Sequence, residues 1–209
     1  NPRNRRVQRE VAEPYEMHRT LMKAFPEDLA EEQERVLFRL EQGGNGALHL
    51  LVQCWTLPDW SFLAAPEARG YLLRMDEPNP AVKSFDLDLT PGQLLAFRLR
   101  ANPTARKRLT DGSRKRVGLY DEEDQMEWLK RKAEQGGFRI VSVHTNQRDD
   151  VGGRIKRDGE THKLKLAAVR FDGLLQVVDT DRLKESVWQG IGSGKALGFG
   201  LLSLAPPQV

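Results

Sequence analysis

Tyr15 and His18 stand three residues apart, a spacing that places both side chains on one face of a helix. Histidine suits proton transfer near neutral pH because its unperturbed pKa is about 6.5, and a tyrosine hydroxyl can donate a hydrogen bond or assist the transfer. Cleavage of an RNA phosphodiester needs a base for the 2′-OH, an acid for the departing 5′-oxygen and donors that stabilise the phosphorane. The spacing makes this chemistry possible, although most single histidines on helices have no such role.

The helix that would carry this pair is predicted to begin at Pro14, because proline at the first helical position costs no hydrogen bond. Apolar residues then recur at i, i+4, i+7 and i+8 and predict a stripe that faces a core: Met17, Leu21, Ala24 and Phe25. Phe25-Pro26 ends the predicted helix. His18 borders the stripe, so we expect its imidazole at the edge of the core and open to a groove. Arg19 and Lys23 lie further round, four residues apart, and face outward toward any polyanion.

Hydrophobic patterning predicts the remaining elements, and the clearest break lies at residues 90–92, which read Thr-Pro-Gly. Before the break we expect strands at 36–40 and 48–55 around a glycine-rich turn, a short helix within 60–73, and a strand at 85–89. After the break we expect a strand at 94–100, a basic loop to about residue 117 and a helix from 121 that stops at 136–137. Strands at 138–143 and 164–170 and an extended piece at 171–178 follow. A helix at 181–189, a glycine-rich loop and a strand at 201–204 complete the chain. The break divides the chain into domains 1–90 and 91–209.

The order of these elements predicts the fold class. The second half reads β-α-β-β-α-β, which is the order of the ferredoxin-like fold, and the first half reads α-β-β-α-β, the same order without its opening strand. We therefore predict an α+β protein of two tandem ferredoxin-like domains, in which the first strand of the N-terminal domain is missing from the chain. Without that strand the first sheet loses a partner, so a gap or an irregular structure is expected there.

Charge is segregated along the chain, although the net charge is only +3 with 30% charged residues. Between residues 98 and 116, a single acid, Asp111, stands among eight bases: Arg98, Arg100, Arg106, Lys107, Arg108, Arg114, Lys115 and Arg116. A second basic stretch contains Arg154, Lys156, Arg157, Lys163 and Lys165. Each phosphate that a base neutralises releases counterions, so two such clusters favour a nucleic-acid partner, whereas one run alone is more often a solvated charged face.

The composition argues against several other classes of function. The chain has no apolar run of the roughly 18 residues that a membrane span needs, and its start lacks the apolar region of a secretory signal. One cysteine, Cys54, allows neither an internal disulfide nor a cysteine-rich zinc site, and we expect a cytoplasmic protein. Asp86 and Asp88 would share one strand face and suggest a metal-dependent nuclease as an alternative, which we disfavour because no further cluster of ligands supports it.

Residues 190–200 contain five glycines among eleven residues. The segment is not a P-loop, because position 189 is glutamine, Ala196 replaces the required Ser or Thr, and the segment leads from a helix into a strand. Its backbone is free to approach a phosphate closely, and an anion could be bound by Gly192, Ser193, Gly194 and Lys195. Alternatively, the segment only connects a helix to a strand and binds no ligand.

Three segments, taken together, resemble the CasE family, the endoribonucleases that process CRISPR RNA in type I-E Cascade. They are residues 14–21 (PYEMHRTL), 97–103 (FRLRANP) and 190–206 (GIGSGKALGFGLLSLAP), which occur in the family's order and span almost the whole chain. The resemblance implies two ferredoxin-like domains, in agreement with the patterning, and a hydrophobic strand before the position of Asn1.

The resemblance also implies a reaction. Such enzymes bind the repeat stem-loop of a precursor RNA and cut at the 3′ base of the stem without a metal. The upstream 2′-OH attacks, which leaves a 2′,3′-cyclic phosphate or 3′-phosphate and a 5′-OH. The cleaved hairpin stays bound, and the enzyme joins the Cascade backbone subunits. The alternative from another class is an RNA-binding subunit that caps the crRNA without cutting, in which His18 would be dispensable.

The family's catalytic residues fall on Tyr15 and His18, and the resemblance leaves open which is the acid and which the base. Arg19 and Lys23 match positions near the cut, where Lys23 either assists at the scissile phosphate or holds the RNA backbone. Further residues expected to bind RNA lie in the basic stretches and the glycine-rich loop: Arg100, Arg106, Lys107, Arg108, Arg154, Lys156, Arg157, Gly192, Ser193, Gly194 and Lys195.

Overall fold

The computed structural model describes residues 1–27, 34–43, 46–108, 110, 112–147, 151–157 and 160–207, and the side chains of 147 and 151–165 lie outside that description. The contacts between residues divide the chain into two compact units. The first unit comprises Asn1–Leu87, Gly153–Lys163 and Ala196–Gly198, and the second comprises Asp88–Gly152, Leu164–Lys195 and Phe199–Val209. Both contain helices and antiparallel strand pairs, so the protein has a mixed α/β fold with antiparallel sheets.

The first unit begins with a helix that the hydrophobic pattern does not predict. Helix α1 spans Arg5–Ala12, and its N-terminus is capped by the Asn4 side-chain oxygen, which accepts hydrogen bonds from the backbone N–H groups of Arg6 and Val7. Most of its sequence, RRVQREVA, is polar or charged, and only Val7 and Glu10 are buried. An apolar stripe is therefore missing, and the helix is visible in the sequence only through its cap.

Helix α2 spans Pro14–Met22 and begins where the sequence predicts, with proline in the first turn. It ends three residues before the predicted end, because Ala24 and Phe25 donate their backbone N–H groups to Leu21 and Met22 in tighter i→i−3 bonds. The predicted stripe is nevertheless confirmed, since its four residues are all buried: Met17, Leu21, Ala24 and Phe25.

Two antiparallel strands lie against α2, β1 (Leu37–Gln42) and β2 (Leu48–Gln53), close to their predicted positions. Phe38 of β1 is buried in a core cluster with Met17 and Leu21, and Leu50 and Val52 of β2 pack against it. Two short 3₁₀ turns, Ser61–Ala64 and Pro66–Ala68, follow within the segment predicted as a short helix.

The strand predicted at 85–89 is wrong. Residues 81–90 have no regular secondary structure, and Phe85 is 47% exposed. An extended segment needs a neighbouring strand to pair its N–H and C=O groups, and among the described residues none of the sheets includes residues 85–89. Alternation of apolar and acidic residues therefore reflects an extended chain on the surface rather than a sheet strand.

The remaining chain forms two helices and eight strands among the described residues. They are β3 (Leu94–Ala101), β4 (Thr104–Arg108), β5 (Arg114–Gly118), α3 (Glu122–Gln135), β6 (Phe138–Gln147), β7 (Val151–Arg157), β8 (Glu160–Leu166), β9 (Val169–Val177), α4 (Thr180–Gln189) and β10 (Leu202–Ala205). The central sheet is antiparallel in the order β10-β3-β9-β6, while β4-β5 and β7-β8 form separate two-stranded pairs. Asp121 and Asp179 cap α3 and α4. No helix of the described part is long and apolar enough to cross a bilayer.

Three expectations for this part need correction. The basic segment that continues to about residue 117, predicted as a loop, contains the β4-β5 hairpin, and β7 forms between the strands predicted at 138–143 and 164–170, where no strand is predicted. The strand predicted at 164–170 covers the end of β8 and the start of β9, which are separate strands. Charged residues hide these strands from an apolar pattern, because the pairing of backbone N–H and C=O groups leaves no apolar signal in the sequence.

Candidate functional site

Tyr15 and His18 lie side by side on α2, as their spacing predicts. Their ring centroids are 6.1 Å apart, and the rings are tilted by 39°. Both side chains are half-buried, and the Nδ1 atom of His18 is shielded from solvent. The pair borders the core cluster that contains Met17, Leu21 and Phe38. A half-buried imidazole beside a phenol can exchange a proton with a ligand while the core holds its ring in place.

Phe38 of β1 supports the imidazole from the sheet side. Its ring is nearly parallel to that of His18, with centroids 6.4 Å apart and an angle of 12° between the planes. Gly198 lies against the same phenylalanine, since a Cβ atom at this glycine would stand 3.0 Å from Phe38 Cε2. Gly198 also has φ of +79°, so a side chain here would be strained and tightly packed against the Phe38 ring. The sequence analysis did not identify Phe38, because an apolar residue in a strand carries no sign of its neighbours.

Arg19 and Lys23 are exposed on the outer side of α2, as expected. Arg19 forms a surface ion pair with Glu16, in which Nη1 lies 3.2 Å from Oε1. Exposed pairs of this kind contribute little free energy, about 1 kcal/mol or less, so an incoming phosphate can compete for the guanidinium. Both cations are therefore available to a polyanion that reaches Tyr15 and His18.

The β4-β5 hairpin concentrates positive charge in a way that the linear sequence does not show. The register places like charges directly opposite one another in three successive pairs: Arg106 with Arg116, Lys107 with Lys115, and Arg108 with Arg114. All six side chains are exposed. Like charges facing each other across two strands destabilise a hairpin, and a bound polyanion would remove that repulsion. The three residues on β5 are additions to the candidates named from the sequence.

The glycine-rich loop, residues 190–200, is closed at its base. The backbone N–H of Ile191 donates to the carbonyl of Gly200 at 2.9 Å, and the N–H of Gly200 donates to the carbonyl of Arg100 at 2.8 Å. Positive φ angles occur at Gly190, Gly192, Gly194, Gly198 and Gly200. At its tip, Ser193 Oγ accepts a hydrogen bond from the buried Asn102 at 3.4 Å. The loop therefore has fixed ends and a backbone that only glycine can adopt.

Arg100 stands at the end of β3, next to this loop. Its guanidinium lies over the ring of Phe199 with 4.8 Å between the guanidinium carbon and the ring centroid. An aromatic face of this kind attracts and orients a cation without neutralising its charge. Arg100 is therefore held in place beside the glycine-rich loop.

Other candidates from the sequence are not placed at a site. Arg154, Lys156 and Arg157 lie on β7, and their side chains are outside the described residues. Asp86 and Asp88 are both exposed, and the strand that was to align them is not formed. In the described ranges, no three His, Cys, Asp or Glu side chains come together as a metal site. The geometric basis for a metal-dependent nuclease at these two aspartates is therefore wrong.

Comparison with known proteins adds to this geometry. The family model described as "CRISPR associated protein" matches residues 1–206. The CRISPR-associated endoribonuclease Cse3 of Thermus thermophilus is 43% identical over 215 residues, covering 99% of this chain and 96% of that protein. The Cascade subunit CasE of Escherichia coli is 32% identical over 204 residues, covering 92% of each.

A solved structure shares the architecture. The structure of Cse3 bound to a 19 nt RNA has a TM-score of 0.79 and 43% identity, covering 99% of this chain and 96% of that one. The family resemblance predicted from the three sequence segments is thereby confirmed. The chain belongs to the family of CRISPR-associated proteins that contains the endoribonuclease Cse3 and the Cascade subunit CasE.

Proposed function

We propose that this protein is a metal-independent endoribonuclease that binds and cleaves CRISPR repeat stem-loops in precursor crRNA. The 2′-OH upstream of the scissile phosphate attacks, which leaves a 2′,3′-cyclic phosphate or 3′-phosphate and a 5′-OH. The observation that carries the proposal is the adjacency of Tyr15 and His18 at the edge of the α2 core, 6.1 Å between ring centroids. The relative of known activity, Cse3, is named an endoribonuclease, which supports the same chemistry here.

His18 and Tyr15 supply the proton transfers in this proposal. The Nδ1 atom of His18 is buried, which favours Nε2 as the nitrogen that acts on the RNA. General acid or base catalysis by a positioned side chain accounts for about 10²–10⁴-fold in rate. Lys23 and Arg19, exposed on the same helix, stabilise the negative charge that develops on the phosphorane.

RNA affinity comes from the basic surfaces. We assign binding of the RNA stem to the six cations of the β4-β5 hairpin, with Arg154, Lys156 and Arg157 of β7 as further contacts. We assign binding of the phosphate backbone to Arg100 and to Ser193 and Lys195 of the glycine-rich loop. An A-form stem presents its phosphates in the same arrangement before and after the cut. Release of the product is therefore slow and sensitive to salt, which suits a protein that remains on its crRNA as a subunit of Cascade. The relative CasE is named as such a subunit.

We also propose that the protein has two ferredoxin-like domains and a cytoplasmic location. The second unit has the element order β3-α3-β6-β9-α4-β10 and the sheet order β10-β3-β9-β6, which supports a ferredoxin-like domain from residue 91 onward. The α2-β1-β2 arrangement supports a second domain of this type within residues 1–90. A single free cysteine, Cys54, fits a cytoplasmic location.

We expect the protein to cut a cognate repeat hairpin at an unchanged rate in excess EDTA, because side chains rather than a metal perform both proton transfers. Replacing the 2′-OH upstream of the scissile phosphate by hydrogen removes the nucleophile, so this substrate should bind but remain intact. Single-turnover cleavage of labelled RNA measures both effects. A hairpin with 2′-deoxy substitution one nucleotide further upstream is the matched control and should be cut normally. Cutting of the 2′-deoxy substrate, or loss of cutting in EDTA, would refute the mechanism.

A further inference from the structure

A buried polar cluster lies behind α2, on the side away from solvent. Glu10 of α1 is 3% exposed, and its carboxylate receives three hydrogen bonds. Oε1 accepts from Arg6 Nε at 2.9 Å and from Thr20 Oγ1 at 2.7 Å, while Oε2 accepts from the Tyr71 hydroxyl. Arg6 also donates from Nη2 to Thr20 Oγ1 at 3.0 Å. We call these four residues, Arg6, Glu10, Thr20 and Tyr71, the Glu10 cluster.

The Glu10 cluster is fully satisfied, which is what allows a carboxylate to remain buried. A buried charge is tolerated only when it is paired and hydrogen-bonded, and both conditions are met at Glu10. Burial and the hydrogen bond to Glu10 raise the pKa of Tyr71 well above its usual range, so the phenol stays a donor. The Arg6 guanidinium also lies over the Tyr71 ring, 5.1 Å from its centroid. Removing one donor leaves the buried Glu10 carboxylate with an unmet hydrogen bond, which costs free energy.

The cluster holds the helix that carries Tyr15 and His18. Thr20 and Met17 are buried positions of α2, three residues apart, and therefore lie on one face. Thr20 binds Glu10, and the sulfur of Met17 lies 3.8 Å from the Tyr71 hydroxyl. Rotation of α2 about its axis would break both contacts. A small rotation is enough to disturb the chemistry, since a displacement of about 1 Å can cost about 10²-fold in rate.

We propose that the Glu10 cluster is a positioning device for cleavage, in which Glu10, Thr20 and Tyr71 fix the rotation of α2 and so the place of His18 at the scissile phosphate. This inference rests on the proposed function of Tyr15 and His18. None of the four cluster residues touches the RNA in this proposal. Their effect is therefore on the rate of the cut and not on the affinity for the hairpin, which resides in the basic surfaces.

A pair of variants at Thr20 tests the proposal. Thr20→Val keeps the shape of the side chain and removes the hydroxyl, and we expect its single-turnover rate at saturating protein to fall about tenfold or more. The dissociation constant for an uncleavable 2′-deoxy hairpin should stay within about twofold of the wild-type value, because phosphate contacts determine it. Thr20→Ser restores the hydroxyl and should recover most of the rate. Tyr71→Phe removes the other donor and provides a second variant if Thr20→Val does not fold.

Controls separate positioning from stability and from the proposed function itself. Leu63→Ala removes apolar contacts from the core cluster that includes Tyr71, without touching a hydrogen bond of the Glu10 cluster, and should lower the melting temperature but not the rate. The inference is wrong if Thr20→Val cuts within about threefold of wild type, if it loses affinity in proportion to rate, or if Leu63→Ala loses as much rate. His18→Ala in the same assay tests the proposed function: full cutting by that variant contradicts the site, whereas its inactivity beside an active Thr20→Val contradicts the positioning device alone.

Discussion

The His18→Ala variant is expected to bind the repeat hairpin normally and to cut it about 10²–10⁴-fold more slowly than the wild-type protein. The loss reflects removal of a proton acceptor or donor whose ring is held by Phe38, with 6.4 Å between the centroids. Affinity should change by less than about threefold, because the variant keeps every cation that is proposed to contact a phosphate. Single-turnover cleavage with protein in excess, beside a binding titration on 2′-deoxy RNA, measures both quantities.

Two further variants sharpen this prediction. Tyr15→Phe removes only a hydroxyl and should lower the rate by about tenfold or more while the half-buried ring keeps its packing. His49→Ala is the matched control, since His49 is an exposed histidine on β2 of the same unit, and this variant should cut at the wild-type rate. If His18→Ala also cuts at nearly the wild-type rate, the cleavage depends on other residues. If neither the wild-type protein nor the variant cuts, the protein is an RNA-binding subunit that caps the crRNA without cutting.

The second large effect is expected on RNA affinity, when cations of the β4-β5 hairpin are removed. Exchanging Arg106 and Arg116 for glutamine removes one facing pair of cations. If each contacts one phosphate, the slope of log affinity against log salt should become shallower by about 2 and the affinity near physiological salt should fall about tenfold. The cleavage rate at saturating protein should stay within about threefold, because the reacting groups are unchanged. Titrations of the hairpin at several salt concentrations give the slope.

The control for the hairpin variant changes the same net charge elsewhere. Lys130 and Arg131 are exposed on α3, and their double glutamine variant should leave the salt slope unaltered. The free Arg106→Gln, Arg116→Gln protein should melt no lower than wild type, since its exchange relieves repulsion between facing charges. If both double variants lost RNA affinity equally, binding would depend only on the total charge of the protein. The β4-β5 hairpin would then have no special role.

Local patterns in the sequence were sufficient to predict several features of the structure. The proximity of Tyr15 and His18 follows from helical periodicity, because residues three apart share a face wherever the helix lies. The buried stripe of α2 and the boundaries of α3 and α4 follow from apolar spacing and acidic caps in the same way. Family membership was also accessible, since three segments in a fixed order form a joint signal that no single one of them provides.

Other features depended on contacts between residues distant in the sequence. Glu10 and Tyr71 bind each other across 61 residues, and Phe38 lies between His18 and Gly198, partners that no local pattern connects. The strand pairing of β4 and β5 aligned six bases face to face, whereas the sequence showed only their clustering. The strand predicted at 85–89 is wrong for the same reason, because alternation describes a side-chain pattern and a strand exists only where a neighbour accepts its hydrogen bonds. By itself the sequence thus determined the adjacency of Tyr15 and His18 and the helix that bears them, while only the tertiary structure decided what holds that helix in place.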